Sequence, residues 1–303
     1  MPNWRIAFNT ICQNACIILN MRNDGILFID KPIGMTSRQV DNHIGKLFHT
    51  RSVGHLGTLD PFASGLLILG VNKGNKILPY LGDDTKSYMA RILLGKKTST
   101  GDPTGDIIEE KSIPELDLEK IKQVLQGFLG KGTQIPPMTS AIKVDGEALY
   151  KKAHKGIEVE RKPRDIEIFS LNAIYYEAPY LDITCTVSSG TYIRTLGEDI
   201  AAALGTVGHL EQLRRLSIGK HLLSLAKPLD EITVDDLLEP SIYVRSMKHI
   251  EVSNERLKKV NNGMTMLEET DYGPRILYTE NGIGIAVYEK REDGYYHCLR
   301  GLR

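Results

Sequence analysis

Four side chains in this 303-residue chain stand where chemistry is expected. His55 and Asp60 lie in Gly54-His55-Leu56-Gly57-Thr58-Leu59-Asp60-Pro61-Phe62-Ala63-Ser64-Gly65; Tyr88 lies in a strand-like run; Arg194 follows Ser188-Ser189-Gly190-Thr191-Tyr192. Glycines open backbone conformations closed to other residues, and Pro61 pushes Asp60 toward extended backbone. Asp60 is therefore expected on a shaped loop beside the apolar run Leu66-Leu67-Ile68-Leu69. Loops fixed on a rigid scaffold are where reactive groups concentrate. Such an aspartate either caps a turn or acts as a carboxylate nucleophile, which can attack an anomeric carbon without a cofactor. Two-carboxylate glycosidase chemistry needs a partner acid. Asp83, Asp84, Asp102 and Asp106 are candidates, and no spacing rule chooses among them.

Other chemistries find no support. There is no Gly-x-Ser-x-Gly elbow and no Gly-x-x-x-x-Gly-Lys-[Ser/Thr] phosphate loop. The eight histidines are dispersed, and Cys12, Cys16, Cys185 and Cys298 lack the paired spacing of a zinc site. The cysteines read as reduced thiols, and neither metal nor cofactor is expected. Formal net charge is zero, so an anion-binding surface must come from local clustering. One candidate is Lys143 to Arg164, with seven Lys or Arg against four acids. It reads as a solvated face or as an RNA-contacting element. No apolar run approaches membrane-spanning length, and the first twenty residues lack the pattern of a signal peptide. Met21 is the expected start, with 1–20 a poorly ordered extension, and the expected location is the cytoplasm.

The elements that must position these groups follow from pattern. Ile26 to Ile29 and Leu66 to Val71 read as buried strands. Thr36 and Ser37 precede a helix carrying Val40, Ile44, Leu47 and Phe48. Lys86 to Leu94 has strand-like content. Asp117 caps a helix carrying Leu118, Ile121, Leu125 and Phe128, which Gly130 and Gly132 are expected to end; Pro136-Pro137 cannot be helical. Ile166 to Tyr176 and Tyr180 to Val187 alternate as two strands around a Glu-Ala-Pro turn. A helix follows through Ile200 and Leu204, then a short helix over Ile232 to Leu238. After a boundary near Ser246 come a polar helix, Asn254 to Val260, and two type I′ hairpin signals, Asn281-Gly282 and Asp293-Gly294.

At these residues the chain resembles the TruB family of tRNA pseudouridine synthases. The glycine loop is similar to the family's Gly-His-x-Gly-x-Leu-Asp-Pro-x-Ala-x-Gly signature. Asp30-Lys31-Pro32-Ile33-Gly34-Met35-Thr36-Ser37 resembles its Asp-Lys-Pro-x-Gly-x-Thr-Ser element, and Lys86-Ser87-Tyr88 the segment with its active-site tyrosine. Pro136-Pro137-Met138-Thr139-Ser140-Ala141-Ile142-Lys143, Gly190-Thr191-Tyr192-Ile193-Arg194-Thr195-Leu196 and Leu213-Arg214-Arg215 resemble three further family blocks. The resemblance runs in order from Asp24 to Leu229.

The resemblance implies an α+β pseudouridine synthase fold: a mixed, mostly antiparallel central sheet flanked by helices, with a small C-terminal β-rich PUA-like domain. The implied division is 21–246 for catalysis, with a thumb-like insertion about 133–165, and 247–303 for RNA binding. The implied reaction converts the tRNA T-loop uridine at position 55 to pseudouridine. It breaks the bond from ribose C1′ to N1 and rejoins C1′ to C5, without a cofactor. Asp60 is the implied key carboxylate, as nucleophile or as the base that opens a glycal route. Arg194 is its implied cationic partner. Tyr88 is implied to stack on the base and help remove the C5 proton, which a phenol does only with a lowered pKa or a relay. His55 is implied to fill space left by rearranged T-loop bases. Lys31, Pro32, Tyr192, Leu213 and Lys143 complete the implied substrate-binding set. The implied partner is the T-arm of tRNA, with no membrane, no required protein partner and a monomeric enzyme. A non-catalytic RNA-binding or RNA-folding protein and a carboxylate glycosidase are the competing readings.

Overall fold

The structure is a computed structural model that describes residues 24–81, 85–138, 140, 143–144, 147–148, 159–239, 244 and 247–302. The expected N-terminal extension and Ser246 lie outside them, as do 139, 141–142, 145–146 and 149–158 of the expected thumb.

β1 (Gly25–Lys31) leads through a turn to α1 (Ser37–Leu47). Thr36 is its N-cap: its hydroxyl takes the Gln39 N–H, and the Gln39 side chain answers the Thr36 N–H. β2 (Val53–Leu56) occupies the start of the glycine loop and pairs antiparallel with β3 (Ser64–Val71). The stretch expected to be all loop therefore begins as a strand. β4 (Thr85–Leu94) follows, then the small hairpin of β5 (Lys96–Thr98) and β6 (Ile107–Glu110). α2 (Leu118–Gln126) is capped by Asp117 as expected. It ends at Gly127, and Gly130 begins β7 (Gly130–Gln134), which pairs with the next long strand. β8 (Lys143–Val144) and β9 (Glu147–Ala148) form a separate two-stranded ladder. Then come β10 (Arg164–Glu177), β11 (Tyr180–Ser188), α3 (Ile193–Ala203), β12 (Gly208–Ile218), β13 (His221–Leu222) and β14 (Lys227–Pro228).

The central sheet runs β14-β1-β3-β12-β4-β11-β10-β7, with β13 on β12 and β2 on β3. Only β1–β14 and β3–β12 are parallel among its described pairs. β1 and β3 are apolar on both faces, and both faces are covered. Leu27, Ile29, Leu67 and Leu69 pack under Val40 and Ile44 of α1 and Phe48 at its C-cap. Farther along the sheet, β4, β10 and β11 bury Ile92, Leu171 and Ile183 against α2 and α3.

The C-terminal part forms β15 (Lys248–Glu251), α4 (Asn254–Asn261), β16 (Arg275–Glu280), β17 (Ile283–Lys290) and β18 (Tyr296–Gly301), a four-stranded sheet in the order β15-β16-β17-β18. One face buries Val260, Ile276, Tyr278 and Tyr288. The other sends Leu277 and Val287 into one core with Ile26, Phe28, Leu66 and Ile68 of the central sheet. The C-terminal sheet thus covers the second face of β1 and β3.

Two local expectations are corrected. Asn281 and Gly282 are both left-handed, as a type I′ turn requires (φ +52° and +74°), but at the second hairpin Gly294 alone has positive φ (+81°). Its N–H returns to the Arg291 carbonyl, so this is a longer loop closed by one left-handed glycine. Residues 232–238 form no α-helix. One turn of 3-10 helix, Val234–Asp236, is followed by Leu238, which exchanges two backbone hydrogen bonds of 3.0 Å with Ile26. Pairing with the sheet wins over helix propensity there.

Leu277→Ala is expected to lower the stability of the whole chain by about 2–5 kcal/mol. Unfolding should stay a single transition in circular dichroism and in fluorescence; a separate early transition of the C-terminal sheet would contradict the shared core.

Candidate active site

The loop after β2 is pinned from three sides. Arg215 on β12 donates from Nη2 to the Gly57 carbonyl (2.8 Å) and from Nε to the Leu66 carbonyl (2.8 Å). Ser37, at the start of α1, accepts the Leu59 N–H at 2.9 Å and donates to the Leu59 carbonyl at 3.1 Å. The Gly34 N–H reaches the Pro61 carbonyl at 2.7 Å. Gly34 sits in the turn that the fully buried Lys31 ties together, its Nζ donating to the carbonyls of Pro32 (2.8 Å) and Met35 (2.6 Å). Leu59 and Phe62 are buried, so Asp60 projects from a loop anchored on both sides. Gly65 closes it: its φ is +102°, and a Cβ there would stand 2.3 Å from the Arg215 carbonyl oxygen.

Asp60 lies on the wall of a cavity of about 220 Å³, whose lining includes Tyr88, Tyr192, Arg194, Leu213 and Arg215. Its side chain is 34 % exposed while that of Arg194 is 4 % exposed, and Arg194 Nε stands 3.0 Å from Asp60 Oδ2. The same guanidinium uses Nη1 on the Thr100 carbonyl (3.0 Å) and on Asp102 Oδ2 (3.3 Å). Asp102 is buried and accepts from the Thr100 hydroxyl (2.7 Å), the Thr104 N–H (3.0 Å) and the Thr104 hydroxyl. Arg194 stands in the first turn of α3, where the helix dipole disfavours a cation; the two carboxylates offset that. The backbone before it is fixed by the Gln134 side chain, which donates to the Tyr192 carbonyl (3.0 Å) and accepts the Tyr192 N–H (2.7 Å).

Burial raises the Asp60 pKa above the ordinary carboxylate value; Arg194 and Lys31 oppose the rise, and Asp102 adds to it. Burial also pulls the Lys31 ammonium down to about 8, against the attraction of Asp60. Tyr88 and Arg215 are direct partners across β4 and β12, and the nearby guanidinium charge favours the phenolate. Burial nevertheless raises the Tyr88 pKa overall. Burial thus opposes direct proton removal by the phenol.

The cavity brings together Asp60, Tyr88, Arg194, Tyr192 and Leu213 from the expected set. His55 stands behind the loop, its Nδ1 3.0 Å from both Asp41 carboxylate oxygens and its Nε2 3.2 Å from the Thr58 hydroxyl. Lys31 is buried under the loop, and Pro32 is exposed beside it; neither lines the cavity, but the Lys31 charge reaches Asp60. Lys143 belongs to β8, but its side chain lies outside the described residues. Arg215, Gln134 and Ser37 were not singled out by sequence reasoning, and Asp102 was one of four equal candidates. Among the described residues no group of three or more His, Cys, Asp or Glu is placed to hold a metal, and no helix is long and apolar enough to cross a membrane.

The fold is that of the pseudouridine synthases. A solved Cbf5-Nop10-Gar1 complex superposes with a TM-score of 0.69 over 94% of this chain and 87% of the compared chain, at 22% identity. An archaeal box H/ACA Nop10-Cbf5 complex gives 0.64 over 95% and 88%, at 18% identity. At the sequence level, the family description "TruB family pseudouridylate synthase (N terminal domain)" matches residues 45–193. The tRNA pseudouridine synthase B of Geobacter sulfurreducens is 37% identical over 92% of this chain and 98% of its own length. That of Neisseria gonorrhoeae (strain NCCP11945) is 38% identical over 88% and 91%. The chain belongs to the TruB family of pseudouridylate synthases.

A raised pKa in the folded state means that ionising Asp60 opposes folding. Its stabilising contribution is complete below the unfolded value and is lost as pH rises through the folded value. Asp60→Asn is therefore expected to unfold at higher denaturant than wild type at pH 7, the difference shrinking as pH falls toward 4. Urea titrations across that range check this; a variant less stable than wild type at pH 7 and closer to it in acid contradicts the sign.

Proposed function

We propose that this chain isomerises the T-loop uridine of tRNA, position 55, to pseudouridine, with Asp60 as the reacting carboxylate. The observation that carries this reading is the Asp60–Arg194 contact on the wall of a small cavity that also holds a phenol and apolar side chains. The homologues named tRNA pseudouridine synthase B support the substrate.

The target base lies inside a folded loop and must be turned out of its stack, at a cost of a few kcal/mol (roughly, by analogy with other base-flipping enzymes) that stacking and hydrogen bonds offset. Leu213 and the rings of Tyr88 and Tyr192 offer a flat base apolar surface. Arg194 keeps Asp60 oriented and favours its charged form against burial. Asp60 then attacks ribose C1′ as N1 departs with the bonding electrons, or takes a ribose proton on the glycal route; the C1′–C5 bond forms as the Asp60 ester bond breaks or as the glycal double bond takes the ribose proton back, the C5 proton is lost and N1 takes up a proton. Tyr88 serves as a neutral stacking and hydrogen-bonding group. A phenol held neutral by burial is a poor base, so proton loss from C5 passes to a water or to the released Asp60. His55 packs behind the loop and meets the RNA on the outer side of the cavity.

The enzyme acts in the cytoplasm as a monomer, with no cofactor and no required protein partner. The domains are 21–246 for catalysis and 247–303 for contact with tRNA beyond the T-loop. A carboxylate glycosidase is less well supported, because Asp102, the carboxylate nearest to Asp60 through Arg194, is buried and spent on four described donors.

Incubating the protein with unmodified tRNA transcript should yield pseudouridine at position 55, mapped at nucleotide resolution. Asp60→Asn should lower single-turnover conversion by about a thousandfold or more while the transcript still binds. Release of free uracil, or undiminished conversion by the variant, would overturn the reading. Tyr88→Phe should keep base stacking yet lose the hydroxyl contact, slowing conversion without adding an acid limb to its pH profile; a wild-type rate that climbs steeply with pH up to phenol ionisation would contradict the neutral role.

A further inference from the structure

The proposed function gives the cavity a nucleotide but leaves open how a chain with zero net charge holds the strand that carries it. A second cavity, of about 630 Å³, lies between one side of α1 and the turn that follows. Arg38, Lys46, His49 and Arg51 line it. Asp41 is the carboxylate in that lining, and it is occupied: it is nearly fully buried, accepts from Arg38 at 3.4 Å and holds His55 at 3.0 Å. Lys46 and Arg51 are exposed and have no carboxylate partner among the described residues.

The groove is built by a tight reversal of the chain. The Thr50 N–H returns to the Gly45 carbonyl at 2.9 Å and the His49 N–H to the Lys46 carbonyl at 3.3 Å, with His49 in the left-handed region (φ +50°). A Cβ on Gly45 would stand 2.7 Å from the Thr50 carbonyl oxygen, so glycine permits the close return. The return sets Arg51 beside Lys46 and anchors β2 at its far end. Lys46 alone has a simpler explanation, since a cation suits the last turn of a helix. That explanation does not cover Arg51 or the shared groove.

His55 joins the groove to the cavity. One ring nitrogen contacts Asp41 of the groove and the other Thr58 of the cavity wall. The groove and the cavity are therefore neighbours bridged by one side chain. We propose that the groove beside His55 holds backbone phosphates of the RNA strand flanking the target nucleotide, with Lys46 and Arg51 as their cationic contacts. This rests on the RNA reading given above. Phosphate contacts set register and supply most of the salt-dependent affinity for RNA, without reading sequence.

The test measures binding of a T-arm hairpin transcript to the full chain as salt is varied. In Lys46→Gln/Arg51→Gln the slope of log affinity against log salt should fall by about 1.5, and Kd at 0.1 M salt should rise about fivefold or more. Arg51→Gln alone should give about half the change in slope. Lys120→Gln/Lys122→Gln, the same charge change on α2, should bind within about twofold of wild type. All positions are exposed, and thermal midpoints check that the variants fold. Groove variants with the slope and Kd of the α2 control overturn the groove while leaving the RNA reading intact. A wild-type protein that fails to bind the hairpin overturns both.

Discussion

The site depends on one guanidinium shared by two carboxylates. Arg194 spends one edge on Asp60 and the other on Asp102 and the Thr100 carbonyl. An isolated Asp60 in this setting would be driven toward its neutral form by burial, and an isolated Arg194 at 4 % exposure would carry an unpaired buried charge. Asp102 has a double effect. It fixes the arginine through its own threonine partners, and its charge also pushes the Asp60 pKa upward. The result is a carboxylate that is held in place yet not fully satisfied. Such a group can exchange part of its interaction with arginine for bond formation at an electrophilic carbon.

That arrangement requires the loop to be rigid, and rigidity comes from parts of the fold distant in sequence. Ser37 from α1, the turn held by Lys31, and Arg215 from β12 bind the loop at Leu59, Pro61 and Gly57. The same central strands place Tyr88 beside Arg215 and support α1 on one face and the C-terminal sheet on the other. Packing and chemistry are coupled here: Gly65 admits the Arg215 backbone at a distance no Cβ would allow, and the Arg215 side chain then returns to hold the loop. His55 extends the same network outward, tying the loop to Asp41 of α1.

Much of this was legible in the sequence because it is local. The capped helices, the strands of β1 and β3, the Asn281-Gly282 hairpin and the loop around Asp60 are written in short windows of residue type. Family resemblance then joined Asp60, Tyr88 and Arg194 across the chain. Pairings without a spacing rule stayed hidden. Nothing in the pattern of Asp102 links it to Arg194, 92 residues away, or sets Gln134 on the backbone of Tyr192. The role of Arg215 was masked because nothing in the run Leu213-Arg214-Arg215-Leu216 tells which of the two arginines turns inward. Tyr88 shows a different limit. Its place in the cavity followed from its motif, but its protonation state depends on burial, which spacing does not report. The C-terminal sheet read as a small separate unit because Leu277 and Val287 show no mark of the second core they enter.

The most direct measurement follows the Asp60 carboxyl carbon by NMR as pH is varied, in wild type and in two variants. In wild type the midpoint should lie above that of an ordinary aspartate. Arg194→Met should move it further up, because the opposing cation is gone. Asp102→Asn should move it down, because the second negative charge is gone. A midpoint that stays put in both variants would contradict the shared guanidinium as the constraint on which the site depends.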